Sequence, residues 1–201
     1  MSLENWQSRY SQPDRVWSNR PNQWLVEVAS QLVPGSAIDV GSGEGADAIW
    51  LAESGWRVTG LDFAPAALRR AAEHVPNPEV AGRIIWQEQD LVSWRPTPRS
   101  ADFVSVQFFH AQPEVRSQVH QRAWEATRRD LLIVGHDLTN ATEGNGGPPD
   151  PTVLYSAEEV LASLDVTGAD VLAAERRSRN PDDPQSIMWD SMLWVRRGNS
   201  G

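Results

Sequence analysis

The stretch AIDVGSGEGADAIWLAESGWRVTGLD, residues 37–62, constrains the fold more than any other part of the chain. AIDV reads as a short buried strand. Three glycines follow within the next residues, and then ADAIWLAES, whose Ala48, Leu51 and Ala52 share one face at helical spacing. WRVTGLD is a second strand. A strand, a glycine turn, a helix and a strand in that order make a βαβ unit, which needs a sheet with helices packed on it. Gly41, Gly43 and Ala46 satisfy G-x-G-x-x-[GA]. Asp62 stands ~20 residues further on, where an acid holds ribose hydroxyls. Such a segment cradles a nucleotide-containing cofactor. The plainer alternative is a glycine turn that only joins a strand to a helix.

The alternation continues. PNQWLVEVASQLVPG starts with Pro21 and stops at Pro34-Gly35, with Leu25, Val28, Ala29 and Leu32 at helical spacing. PAALRRAAEHV is a helix opened by Pro65, a favoured first-turn residue. RIIWQEQD and ADFVSVQFF read as strands and PEVRSQVHQRAWEAT as a helix. DLLIVGHD is almost unbroken apolar sequence, the mark of a central strand covered on both faces. LTNATEGNGGPPDP, residues 138–151, is a Gly/Pro loop of a length that is uncommon and often functional. SAEEVLASL restarts a helix, with Ser156 and Glu159 spaced as a capping box. ADVLAAERRS and SIMWDSMLWVRR are two last strands, and the short polar RNPDDPQ between them predicts an antiparallel hairpin. The result is an α/β fold with a mostly parallel sheet in three layers, read as one domain over residues 1–201 with no internal repeat.

Composition removes whole classes of chemistry. The chain has 201 residues, 40% of them apolar, which suits one full core. Its net charge of −9 disfavours phosphate-backbone binding, so no nucleic-acid partner is expected. There is no Cys, hence no disulfide, thiolate metal site or Cys nucleophile. All 18 basic residues are Arg, which removes the phosphate lysine of Walker loops and every Schiff base. MSLENWQSRY does not read as a secretory signal. No run approaches the ~20 apolar residues of a membrane span. The expectation is a cytoplasmic protein with no membrane partner. No His/Asp/Glu spacing suggests a metal site.

The glycine fingerprint alone fits both NAD and S-adenosylmethionine. Three features favour the second. Glu44 lies in the loop and Asp47 at the helix start, where carboxylates would oppose a pyrophosphate. Asp39, two residues before Gly41, can attract an ammonium or sulfonium. Asp90, after the third strand, can accept from an adenine amino group, or be a solvated loop acid.

AIDVGSGEGADAIWLAESGWRVTGLDFAPAAL resembles the first motif and ribose segment of class I S-adenosylmethionine-dependent methyltransferases. The nearest resemblance is to the bacterial branch with tellurite-resistance-type and thiopurine-type enzymes, and the N-terminal NWQSRY…VWSNRPNQWL also resembles that branch's entry segment. The resemblance covers nearly the whole chain. It implies a Rossmann-like three-layer fold with seven strands, the last antiparallel. Carried over, it puts Asp39, Gly41, Ser42 and Gly43 along the methionine end of the cofactor. Asp62 would hold the ribose hydroxyls, with Phe63 beside the adenine. Asp90 and the Leu91 backbone would read the adenine edge, and Gln107 would approach from the fourth strand. Two departures stand out. Ser42 replaces a frequent Cys, and EATRRD replaces the usual Pro-Gly-Gly turn before the fifth strand, which puts that connection in question.

Methyl transfer from a sulfonium is an in-line displacement that chiefly needs alignment and exclusion of water. A base is needed only if the acceptor carries a proton. VQFFHA ends the fourth strand where amide N-methyltransferases of this fold carry an Asn/Asp-Pro-Pro-aromatic motif, so a small-molecule acceptor remains: a thiol, a metalloid oxyanion or a small metabolite. His110 and His136, after the fourth and fifth strands, face the ligand crevice and are candidates to touch the acceptor or act as base; a hydrogen-bonded loop histidine is the alternative for each. His74 and His120 read as solvated. Trp50, Trp86, Trp189 and Trp194 read as core. Tyr10 and Trp17, with Trp6, lie in a segment, residues 1–20, expected either to close over the cofactor as a lid or to pack on the outside. The rival functions are a nicotinamide-dependent oxidoreductase, weakened by the missing Tyr-x-x-x-Lys pair, a non-catalytic S-adenosylmethionine-binding protein, and a homodimer scaffold with a relic site. Neither the acceptor nor the oligomeric state is written in any motif.

Overall fold

Seven strands form one sheet in the computed structural model, which describes residues 20–143, 147–179 and 188–198. They are β1 (Ser36–Val40), β2 (Arg57–Asp62), β3 (Ile84–Glu88), β4 (Ala101–Gln107), β5 (Thr127–His136), β6 (Ala169–Ser178) and β7 (Trp189–Arg197). Their spatial order is β3-β2-β1-β4-β5-β7-β6. β7 runs antiparallel to both neighbours and the other six strands are parallel, as expected for the closing hairpin. The helices are α1 (Gln23–Ala29), α2 (Ala46–Glu53), α3 (Pro65–Glu73), α4 (Pro78–Ala81), α5 (Pro113–Ala126) and α6 (Ala157–Ala162). This is the three-layer α/β arrangement with seven strands that was expected.

Local chemistry explains the starts. The Asn22 side chain caps α1 by accepting from the Trp24 amide at 2.8 Å. Pro occupies the first turn of α3, α4 and α5. Both halves of the Ser156/Glu159 capping box form at α6. The questioned connection before β5 needs no turn. Thr127 ends α5 in an extended conformation and is already the first residue of β5. Its hydroxyl donates to the Ala123 carbonyl at 2.7 Å, satisfying a helix-end acceptor.

Alternation along the central strands builds two cores, one on each face of the sheet. Leu131 and Ile133 point with Val104 and Val106 toward α5 and α6. Leu132 and Val134 point with Phe103 toward α1 and α2, where Leu25, Val28, Ala48 and Leu51 are buried. The tryptophan expectation is corrected. Trp50, Trp86, Trp189 and Trp194 are half-buried, and Trp56, Trp94 and Trp124 are the buried ones. Trp194 keeps its indole N–H on a polar partner, donating to Asp130 at 2.8 Å. Among the described residues no helix is long and apolar enough to cross a membrane.

From β1 the chain winds outward to β2 and β3, then returns to place β4 on the other side of β1. The winding reverses between β1 and β4, so the crevice for a ligand opens at their carboxyl ends.

Candidate active site

The loop after β1 is pinned to the end of β2. The amides of Gly41 and Ser42 both donate to the Leu61 carbonyl, at 2.8 and 2.9 Å. The Gly43 amide donates to one Asp62 oxygen at 2.9 Å, and the Ala64 amide to the other at 2.9 Å. Gly45 takes the N-cap position of α2 with φ 81°. A Cβ there would lie 2.6 Å from the Trp86 ring and 2.8 Å from the Ala71 Cβ. Gly45 is therefore a further small residue that this turn requires, next to Ala46 of the fingerprint.

Three carboxyl groups converge on this loop with no ion pair among the described residues: Asp39, Asp47 and Asp62. Burial pushes the Asp39 carboxyl well above the usual range, and the charges of Asp47 and Asp62 push it further. Burial also raises Asp47 to about 6, against an opposing bond from the Asn22 amide at 2.6 Å. Asp62 is raised by burial, opposed by its backbone amide bonds. Glu44 differs: it is buried and paired with Arg70 at 2.9 Å. Oδ2 of Asp39, Oγ of Ser42 and Oε1 of Gln107 are buried without a described hydrogen-bond partner. Buried polar atoms are rarely left so. The crevice floor thus calls for a ligand that carries positive charge and hydrogen-bond donors.

The other expected cofactor residues fall around this floor. Phe63 is half-buried against Ala64 and Ala67. Asp90 lies beyond the end of β3, exposed, with Oδ1 accepting from the Val92 amide at 2.9 Å. Leu91 is buried, and its carbonyl accepts from Arg122 at 2.8 Å. Gln107 ends β4 and donates through Nε2 to Ser105 at 2.8 Å. Tyr10, Trp17 and Trp6 lie outside the described residues.

On the β4–β5 side, His110 and His136 do come together. Nε2 of His110 accepts from the His136 amide at 3.2 Å, and the rings stack with centroids 5.0 Å apart. Phe108 packs on His136 at 4.9 Å and holds φ 53°, a left-handed conformation that a non-glycine residue rarely adopts. Burial lowers His110 to about 3, helped by the charges of His136 and Arg116. Burial and the Arg179 charge lower His136 to about 4. Both imidazoles are neutral near pH 7. Behind them Asp190, fully buried, accepts from Arg179 at 3.1 and 2.7 Å and from the Trp24 indole at 2.9 Å. That clamp holds the Arg179 guanidinium over the Phe108 ring at 4.9 Å. The 138–151 loop reaches the same place: a Cβ on Gly147 would lie 3.3 Å from the His136 ring.

His120 corrects its expectation. It is fully buried on α5, with its ring edge toward Tyr155 at 5.8 Å, and burial lowers it to about 3. His74 is exposed, as expected. Sequence reasoning also missed Gly45, Phe108, Arg116, Tyr155, Arg179 and Asp190. One signal was available: Gly135 inside a strand marks a close approach, and a Cβ there would lie 2.0 Å from the Tyr155 hydroxyl. Among the described residues no group of three His, Asp or Glu is arranged to hold a metal ion.

Residues 37–130 match the family described as methyltransferase domain. Thiocyanate methyltransferase 1 of Brassica oleracea is 30% identical over 141 residues, 68% of this chain and 60% of that protein. The chain therefore spans about three fifths of the length of that relative, 60%. A solved structure described as "Conversion of a Disulfide Bond into a Thioacetal Group during Echinomycin Biosynthesis" matches with a TM-score of 0.72 at 18% identity, over 98% of this chain and 94% of that one. The magnesium protoporphyrin IX methyltransferase of Synechocystis PCC 6803 with bound SAH matches with a TM-score of 0.65 at 18% identity, over 97% and 94%. Likeness at such identity shows a shared fold.

Proposed function

Taking the methyltransferase domain at residues 37–130 as premise, we propose that this chain moves a methyl group from S-adenosylmethionine to a small, soft nucleophile that arrives already deprotonated. A thiolate or a pseudohalide such as thiocyanate fits best, and a metalloid oxyanion belongs to the same class. The narrower kinship with tellurite-resistance-type and thiopurine-type enzymes, and action in the cytoplasm, are part of this reading.

The observation that carries it is the set of buried, unpartnered acceptors at the carboxyl edge: Asp39 Oδ2, Ser42 Oγ and Gln107 Oε1. S-adenosylmethionine fits them, because it offers an ammonium and a sulfonium to a floor of desolvated carboxyl groups. Asp39, Gly41, Ser42 and Gly43 would hold its methionine end. Each Asp62 oxygen takes one amide and keeps a lone pair, enough for two ribose hydroxyls. Phe63, Asp90 and Leu91 would border the adenine. A nicotinamide cofactor would bring a pyrophosphate against the same carboxyl groups, which favours the sulfonium cofactor. When bound, the cofactor supplies an electrophilic methyl on a leaving group that departs neutral.

The two histidines support this acceptor class. Held to about 3 and about 4, His110 and His136 are weak bases. A thiol of pKa ~8.5 does not give either of them its proton readily. Their role is to shape and dry the acceptor side with Phe108, and the Arg116 and Arg179 charges beside them favour an anion. The name of the thiocyanate relative is in keeping with such an acceptor. The 138–151 loop, seated against His136, would select the acceptor, and residues 1–20 with Tyr10 and Trp17 would close the crevice.

The test is release of S-adenosylhomocysteine with thiocyanate, a small aryl thiol and tellurite, each with titration of the cofactors by calorimetry. Turnover with any of the three, and no NADH binding, is the expected result. Tight S-adenosylmethionine binding without turnover across a wider acceptor panel would leave a binding protein. NADH binding in its place would mean an oxidoreductase.

A further inference from the structure

The far end of the sheet holds a second feature. β4, β5 and β6 begin at that amino edge, and antiparallel β7 ends there. A cleft of about 360 Å³ opens between them, lined by Arg99, Arg128, Arg129 and Arg197 with Trp124 and Gly168. It lies roughly 25 Å along β5 from His136, at the strand rise of ~3.3 Å per residue.

Four guanidiniums at one cleft are unexpected in a chain of net charge −9. One carboxylate, Asp102, serves two of them, Arg128 at 3.2 Å and Arg129 at 3.6 Å. The other two have no ion pair among the described residues. Arg197 lies over the Trp124 ring at 3.9 Å and gives Nε and Nη2 to the carbonyls of Thr127 and Trp124 at 2.6 and 2.7 Å. That fixes its plane and leaves Nη1 for another acceptor. Burial and then the charge of Arg99 lower its pKa, so the two cations repel across the cleft.

Arg99 is held in place by its backbone. It has φ 52°, in the left-handed region. Its amide donates to Glu125 at 2.8 Å, and its carbonyl accepts from Arg128 at 3.1 Å. An unfavourable conformation fixed from both sides commonly marks a functional position. Its exposed side chain has no described hydrogen-bond acceptor. Gly198 packs so tightly on Gly168 that a Cβ would lie 2.5 Å from the Gly168 carbonyl, so the cleft has a backbone wall with no side chain to fill it.

We propose that this amino-edge cleft binds a small multivalent oxyanion, bearing phosphate or carboxylate groups, with Arg99 and Arg197 as its principal contacts. Planar guanidiniums match both groups through paired N–H donors, and two of them facing each other need an anion of more than one charge between them. The site does not depend on what occupies the crevice.

Calorimetric titration with pyrophosphate and with citrate, at ionic strength fixed by sodium chloride, tests this on wild type, Arg99→Gly and Arg99→Lys. Glycine accepts the left-handed backbone, so Arg99→Gly removes the charge without endangering the fold. Saturable one-to-one binding by wild type is expected with at least one of the two anions, and the tighter one identifies the ligand class. Arg99→Gly should weaken it by about tenfold, with Arg99→Lys between, as for loss of a charge-assisted bond. S-adenosylmethionine affinity should be the same in all three proteins. No saturable binding by wild type, Arg99→Gly affinity equal to wild type, or displacement of the anion by S-adenosylmethionine would each overturn the proposal.

Discussion

Asp39, proposed above to hold the methionine end of the cofactor, sits where its charge works against the fold. Its carboxyl is raised by burial and by Asp47 and Asp62. A raised carboxyl stabilises the fold fully below the unfolded value near 3.8, and that contribution is lost as pH rises through the folded value. At pH 8 the charged form is therefore a burden. Asp39→Asn should raise stability at pH 8 by on the order of 1 kcal/mol, or about 2–4 °C in Tm. It should leave stability below pH ~3.8 unchanged, where Asp is already protonated. The same variant should lose S-adenosylmethionine affinity by about tenfold or more, through loss of a charged hydrogen-bond partner. Thermal unfolding at the two pH values and calorimetry check both halves; a destabilised variant at pH 8 would refute the account. At this scale the sequence was informative where the requirement is local. Gly41, Gly43 and Asp62 declare themselves within one βαβ unit, where the Gly41 amide donates to the Leu61 carbonyl and the Gly43 amide to Asp62. The need for Gly45 comes from Trp86, a distant residue in the next βα unit, and no local pattern reveals that.

At the scale of elements, α5 holds a lesson about reading faces. Arg116, Val119, His120, Ala123 and Trp124 are its buried stripe, spaced as a helix face requires. The spacing was visible in PEVRSQVHQRAWEAT, but Arg and His on that stripe masked it. His120 is held down to about 3 from 6.5 by burial. A depressed histidine stabilises the fold fully above the unfolded pKa, and that contribution is lost as pH falls toward the folded value. At pH 5 the loss is roughly 2 kcal/mol, from 1.36 kcal/mol per unit. His120→Leu should therefore gain roughly 2 kcal/mol over wild type on going from pH 8 to pH 5, read from urea unfolding at each pH. An equal acid sensitivity in both proteins would exclude the effect. Elements joined in sequence were legible: every strand and helix before β6 except the short α4 (Pro78–Ala81) was found within a few residues. The Arg179–Asp190–Trp24 clamp was not, because it ties β6 and β7 to α1, residues far apart in the chain.

Across the whole molecule, the return of the chain from β3 to β4 gathers the carboxyl ends of β1, β2, β4 and β5 around one crevice. The mostly parallel three-layer sheet followed from the strand–helix alternation; the strand order and the charge distribution across it did not. The carboxyl edge gathers buried acids and the amino edge gathers arginines. With Asp47 raised to about 6, a cationic ligand binds best after the acids lose their protons. S-adenosylmethionine affinity should tighten between pH 5 and pH 7, by up to about tenfold per unit for each proton released. Titrations at pH 6 in buffers of different ionisation enthalpy should register that proton, with a smaller effect for S-adenosylhomocysteine, which lacks the sulfonium charge. A flat profile would rule out the acids as the cofactor's counter-charge.

The strand order also sets a schedule for synthesis. β7 lies between β5 and β6 although it follows both in the chain. While the ribosome works through the chain at ~5–20 residues per second, β6 emerges with no strand to pair with. β5 meanwhile stands as a bare edge, open to other nascent chains. Deletion of β7 would therefore leave β6 unpaired and β5 a bare edge, and the shortened chain should aggregate on expression.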